Sequence, residues 1–241
     1  MGATPAATTS PLAEAQRRLA QAKALIFDID GTLAETEELH RAAFNEAFVQ
    51  VGLDWHWGRR IYRDLLRVAG GKERIRAFDQ LRRAGPPISD KAIAELHQVK
   101  TERFAALMAA ASCPLRPGVH ALLDGARARG QKLAIATTTT RVNIDALLET
   151  TLGPGWEGMF AAVVAADDVT RKKPAPDAYI EALSQLDLPA GACVAFEDSG
   201  NGLRAAMRAG VPCIVTRSIY FSDDDFSGAL AVVDELSELC V

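Results

Sequence analysis

Short, continuous apolar runs punctuate the chain at 24–27, 133–136, 161–165, 193–196 and 213–215, with a weaker one at 231–233. Runs of this length without alternation suit strands buried on both faces of a parallel sheet. Helical spacing fills the stretches 118–129, 143–150, 176–186 and 201–209. Gly130 and Gly210 stand just past two of these, where a helix end favours glycine. Strand and helix alternate, so the pattern predicts a doubly wound, Rossmann-like α/β core around a parallel sheet.

Residues 37–112 break that rhythm. They hold no strand-like run and two apolar stripes, Leu39, Phe44, Ala47, Phe48 and Val51, then Ile93, Leu96, Phe104 and Leu107. Asp30-Gly31 precedes the segment and Pro114, Pro117 and Gly118 follow it. This predicts a helical cap inserted after the first strand, with 23–36 and 113–241 forming the core. Residues 1–22 read as a variable tail, with helix-compatible spacing from Pro11 to Ala22.

Composition narrows the function. With 27 basic and 31 acidic residues the formal charge is −4, whereas a general nucleic-acid binder is usually basic. No apolar run approaches the roughly 18–20 residues that span a bilayer. The expectation is a monomeric cytoplasmic protein without nucleic-acid or membrane partners, or a plastid stromal one if the tail is a transit remnant. Cys113, Cys193, Cys213 and Cys240 show no metal or redox spacing and read as thiols in a reducing compartment.

Ligands of open parallel sheets bind beyond the carboxyl ends of the strands. Asp28 and Asp30 follow the first run, Thr137 the second, Lys173 lies downstream of the third, and Glu197-Asp198 follow the fourth. Two carboxylates 4 Å apart repel by roughly 4 kcal/mol at an effective dielectric near 20. Either protons or a cation must sit among them, and all-oxygen ligands with open water positions suit Mg²⁺. Mg²⁺ in turn points to a phosphoryl substrate.

Asp28-Ile29-Asp30-Gly31-Thr32, Thr137, Lys173-Pro174 and Glu197-Asp198 together resemble the four motifs of the haloacid dehalogenase-like phosphotransferases. The resemblance spans about residues 23–239. It implies Asp28 as nucleophile, Asp30 as general acid–base, Thr137 as phosphoryl ligand and Lys173 as charge-neutralising group. It also implies Mg²⁺ held by Asp28, Asp198 and the backbone carbonyl of Asp30, with Glu197 acting directly or through water.

The cap bears on the substrate. Residues 59–83 carry nine basic and three acidic side chains. Gly70-Gly71-Lys72-Glu73-Arg74 reads as a loop in which glycines allow close approach and Lys72 or Arg74 grips an anion. His97 and Lys100 follow the inward stripe of their helix, and Glu37 and His40 lie one turn apart near the hinge, placed to meet sugar hydroxyls. Cations far from the metal suggest a second phosphate. Trp55 and Trp57 read as cap core.

These cap residues, with Ala136-Thr137-Thr138-Thr139, resemble the CbbY-type phosphatases, which remove the 1-phosphate of xylulose 1,5-bisphosphate, an inhibitor of Rubisco. The resemblance implies Glu37, the 70–74 segment, His97 and Lys100 as substrate contacts. Thr138, Thr139 and Arg141 are further phosphate-contact candidates, and Thr140-Arg141 departs slightly from the family's loop. The rival readings are a β-phosphoglucomutase-like mutase, a phosphoglycolate-type phosphatase and a silent sugar-phosphate sensor.

Overall fold

The computed structural model describes residues 10–82, 85–111 and 113–239. Six parallel strands form one sheet in the order β3-β2-β1-β4-β5-β6. They are β1 Ala24–Phe27, β2 Lys132–Ala136, β3 Ala162–Val164, β4 Cys193–Glu197, β5 Cys213–Thr216 and β6 Ala231–Val233. All six predicted runs became strands, within two residues at either end.

β1 lies at the centre, with Phe27 opposite Ile135 of β2 and Phe196 of β4. Leu25 and Phe27 join the core on one face; Ala24 and Ile26 join the core on the other. The first face is covered by α1 Pro11–Gln21, α6 Val119–Ala128 and α7 Arg141–Thr151, the second by α8 Asp177–Leu186 and α9 Gly200–Arg208. From β1 the chain winds outward to β2 and β3, then returns to β4 on the opposite side. That reversal opens a crevice at the carboxyl end of β1.

One boundary differs from expectation. The chain does not begin to fold at Lys23: α1 starts at Pro11, its first turn capped by the Ser10 side chain accepting from the Ala13 amide. Ala15 and Leu19 of α1 are buried in the first core layer, and Gln131 donates to the carbonyls of Leu19 and Ala22. The eleven residues of α1 suffice because they have a sheet face to cover.

The cap comprises α2 Glu37–Gln50, α3 Arg59–Leu65, α4 Gly71–Arg82 and α5 Asp90–Ala110. Its core is aromatic, with Phe48 edge-on to Trp55 and Trp57 at 5.4 and 4.9 Å. Two stripe assignments shift. Val51 is 43% exposed, because α2 ends at Gln50 and Ala43 takes the inward position. On α5 the buried set is Ile93, Leu96, His97, Lys100, Phe104 and Met108. The 70–74 segment is a loop only at Gly70; Gly71 opens α4, so Lys72, Glu73 and Arg74 occupy its first turn. Core and cap also touch through Tyr220, whose ring packs edge-on to Tyr62 and whose hydroxyl donates to Glu38. Among the described residues no helix is long and apolar enough to cross a membrane. Cys113, Cys193 and Cys213 are free thiols, and Cys240 lies outside the described residues.

Candidate active site

Asp28 leaves β1 at the switch point, and Lys173 reaches it from the loop ahead of α8. The Lys173 ammonium donates to Asp28 Oδ1 at 2.7 Å and lies 2.6 Å from Glu197 Oε1. Burial weighs against the Lys173 charge, but Asp28 and Glu197 outweigh it and hold the ammonium above its usual range. The carboxyls move the other way. Burial, reinforced by Asp30, pushes Asp28 up; burial, reinforced by Asp28, pushes Glu197 up to about 7 and Asp198 well above the carboxylate range.

The cluster is therefore short of positive charge. One ligand oxygen from each of Asp28, Glu197 and Asp198 lies within 4.8 Å of the others. Glu197 Oε2 and Asp198 Oδ2 are buried with no hydrogen-bond partner among the described residues. Buried polar atoms rarely stay unpaired, and a hard divalent cation shared by the three carboxylates would restore them to their ionised form. Gly31, with φ of 79°, holds the backbone against this cluster; a Cβ there would stand 1.9 Å from Asp198 Oδ2. The residues present fit a divalent cation.

Asp30 faces away from that cluster. Its Oδ1 accepts from the Thr36 hydroxyl and pairs with His40 Nε2 at 3.0 Å, while His40 Nδ1 meets the Lys100 ammonium at 2.6 Å. Lys100 has no acceptor, so it donates to Nδ1 and the Nε2–H is left to donate to Asp30. Burial alone would raise Asp30, but His40, Thr36 and Lys100 outweigh it and hold the carboxyl at about 2. Burial and Lys100 lower His40, which stays neutral near pH 7, and burial brings Lys100 down to about 7. His40 and Lys100 thus hold Asp30, and both also line the cleft in which their spacing suggested contact with a sugar hydroxyl and an anion. The sequence signal was present (both sit on inward stripes), but their partner lay on another element.

Glu37 accepts from the Tyr62 hydroxyl at 2.6 Å, and Arg74 donates to the same hydroxyl at 3.3 Å. Gly70, Gly71, Lys72, Glu73, Arg74 and His97 line the cap wall of a cleft enclosing about 190 Å³, with Asp28, Asp30, Thr137, Thr138 and Thr139 on the core wall. Burial, with Lys100 and Lys72 nearby, lowers His97 to about 3, so its ring is neutral in this cationic pocket.

Arg141 is not brought to the cleft. It pairs with Asp145 and Glu157 and lies over the Trp156 ring at 5.3 Å, on the outside of α7. Asn143, one position into the inward face of the same helix, lines the cleft instead and donates to Thr139 Oγ1 at 3.1 Å. Sequence reasoning also missed Arg116. Its guanidinium is buried and donates to the carbonyls of Gly31, Arg217 and Asp234 at 2.5, 2.6 and 2.8 Å. It ties the Asp30-Gly31 turn to the loops after β5 and β6. Glu235 and Glu35 pair with the same guanidinium, and no spacing rule announces a side chain whose partners are so scattered along the chain.

A parallel sheet with opposed carboxylates and a lysine at its carboxyl edge, roofed by a helical cap with its own cations, defines a capped hydrolase of the phosphoryl-transfer kind. A family model described as haloacid dehalogenase-like hydrolase matches residues 22–210. Protein CbbY of Rhodobacter capsulatus is 51% identical over 215 residues, covering 89% of this chain and 94% of its own. The crystal structure of CbbY from Rhodobacter sphaeroides in complex with phosphate is 48% identical, with a TM-score of 0.87, covering 90% of this chain and 96% of its own. A mutant of that protein, solved in complex with xylulose-(1,5)bisphosphate, is 47% identical over the same shares with the same TM-score. The chain is an enzyme that belongs to the haloacid dehalogenase-like hydrolases, in their CbbY group.

Proposed function

We propose that the chain is a Mg²⁺-dependent phosphatase that converts xylulose 1,5-bisphosphate to xylulose 5-phosphate and so removes a Rubisco inhibitor. The observation that carries this reading is charge at both ends of one cleft. Lys173 stands beside Asp28 at the base, and Lys72 and Arg74 stand on the cap wall opposite. A monophosphate needs only the first of these; a bisphosphate uses both. The bound xylulose bisphosphate in the related crystal structure supports the same class of ligand.

Asp28 is the nucleophile. An Oδ lone pair attacks phosphorus, the bond from phosphorus to the sugar oxygen breaks, and an aspartyl-phosphate forms. Lys173 neutralises charge on the nucleophile and the transferring group. Thr137 and the backbone amides that open α7 receive phosphoryl oxygens. Asp30 is ionised in the free chain; a phosphate dianion arriving beside it raises its affinity for a proton. Asp30 then gives that proton to the departing sugar oxygen and takes one back from the water that cleaves the aspartyl-phosphate. Asp28, Glu197, Asp198 and the Asp30 carbonyl would hold Mg²⁺, which supplies positive charge against the phosphoryl oxygens when bound. Glu37 and the Tyr62 hydroxyl it accepts from present polar groups toward the sugar.

A phosphate-release screen across pentulose, hexose and two-carbon phosphates tests the reading. Xylulose 1,5-bisphosphate should give one phosphate per molecule and outpace every monophosphate. Formation of glucose 6-phosphate from β-glucose 1-phosphate without phosphate release would overturn it in favour of a mutase.

A further inference from the structure

We propose that Tyr179 is a positioning residue that fixes the Glu197 carboxylate and Lys173 as one unit, and so sets the affinity of the acidic cluster for its cation. The inference rests on the phosphatase reading above and adds a residue outside the cleft to it.

Tyr179 sits in the first turn of α8, fully buried in the second core layer and not among the residues lining the cleft. Its hydroxyl donates to Glu197 Oε1, the same oxygen that lies 2.6 Å from the Lys173 ammonium. Its ring lies beneath that ammonium, 5.3 Å from centroid to Nζ. A carboxylate oxygen offers about two acceptor positions, so these two donors together occupy Oε1. The other oxygen, Oε2, is buried and has no partner. It lies over Gly202, where a Cβ would come within 1.8 Å, so only glycine at that position leaves the carboxylate its place.

The outcome is a carboxylate with one saturated oxygen and one bare oxygen, held in that orientation. The bare oxygen belongs to the residue that shares the 4.8 Å cluster with Asp28 and Asp198. Without the hydroxyl, Lys173 alone holds Oε1. The carboxylate is then free to exchange its oxygens, and the ammonium is free to favour Asp28. Lys173 and Tyr179 belong to one seven-residue run, 173–179, so a single loop-to-helix junction delivers both groups that grip Glu197.

Groups behind a metal ligand commonly change affinity by 10–100-fold when removed. The test measures Mg²⁺ binding to the full chain by titration calorimetry, with melting followed by circular dichroism. Tyr179→Phe keeps the ring under Lys173 and removes only the hydroxyl. It should weaken Mg²⁺ binding about tenfold, and excess Mg²⁺ should restore most of the phosphatase rate. In a Glu197→Gln background the same change should alter binding by less than about twofold, because coupled residues are not additive. A Tyr179→Phe chain that binds Mg²⁺ as the wild type does would overturn the proposal. So would an equal loss in both backgrounds, which marks a general structural effect. A wild-type chain that neither binds Mg²⁺ nor releases phosphate would instead overturn the phosphatase reading, and this inference with it.

Discussion

Replacing Lys100 with methionine should make the protein more stable and less active at once. The ammonium is buried between Phe44 and Phe104, 5.1 and 5.0 Å from their centroids, with His40 Nδ1 at 2.6 Å. Burial brings its pKa from 10.5 down to about 7. One pKa unit corresponds to 1.36 kcal/mol, so holding this amine at neutral pH costs the fold on the order of 5 kcal/mol, with the attraction of Asp30 and Glu37 already included. The hydrogen bond to His40 Nδ1 offsets part of that cost. Exchanging a buried ionic group for a well-packed apolar one typically yields about 1–4 kcal/mol. Methionine keeps the length and fills the same space, so a gain of about 2 kcal/mol is expected, or roughly 4–8 °C in Tm for a chain of this size.

Activity should fall because Lys100 fixes the His40 tautomer. With Nδ1 unpaired, Nε2 is no longer committed to donating to Asp30, and the acid–base group loses its orientation. A loss of at least about tenfold in kcat, or 1.4 kcal/mol, is expected. The stability gain carries a pH signature. The folded-state pKa of about 7 lies below the unfolded value, so between pH 7 and 10.5 the unfolded chain binds more protons and wild-type stability rises with pH. The advantage of the variant should therefore shrink across that window. Urea unfolding at several pH values, with phosphate release from xylulose 1,5-bisphosphate, measures both effects. A variant that melts lower than wild type, or turns over within twofold of it, would refute the relay from Lys100 through His40 to Asp30.

Lys72→Ala should raise KM for the bisphosphate at least tenfold while sparing slow hydrolysis of a small aryl phosphate; equal losses on both substrates would place Lys72 at the reacting phosphate. Arg141→Ala should leave kcat/KM within about twofold of wild type, since its guanidinium is engaged by Asp145 and Glu157 outside the cleft; a tenfold fall in steady-state assays would return it to the phosphate site. Arg116→Met should destabilise the chain by about 3 kcal/mol, as losing one side of a buried charged network does, because three loop carbonyls lose their common donor; an unchanged urea midpoint would show that water replaces it.

The core was legible because its signals are local. A strand buried on both faces needs an unbroken apolar run, and such a run can be seen without knowing its neighbours, as at 24–27 and 193–196. The chemistry at strand ends was legible for the same reason: Asp28, Asp30, Thr137, Lys173, Glu197 and Asp198 each stand beside a run or shortly downstream of one. Strand order could not be read, since register depends on which runs meet. α1 was underrated because its stripe is short and polar, and only the sheet face it covers, through Ala15 and Leu19, explains its folding.

Cap residues were harder for a different reason. His40 and Lys100 were found on inward faces, but an inward polar residue has several destinations and only tertiary contact selects one. Here it selected Asp30, a core residue. The cap's α2 and α5 therefore help hold Asp30 as well as roof the cleft, and Tyr220 joins from the core side through Tyr62 and Glu38. Moving the cap away from the core would break the His40–Asp30 contact and release the carboxyl from the partners that keep it ionised. Cap position and the protonation of Asp30 are thus linked physically, so under the proposed function a bisphosphate that holds the cap by its distal phosphate would also hold Asp30 in register at the other end of the cleft.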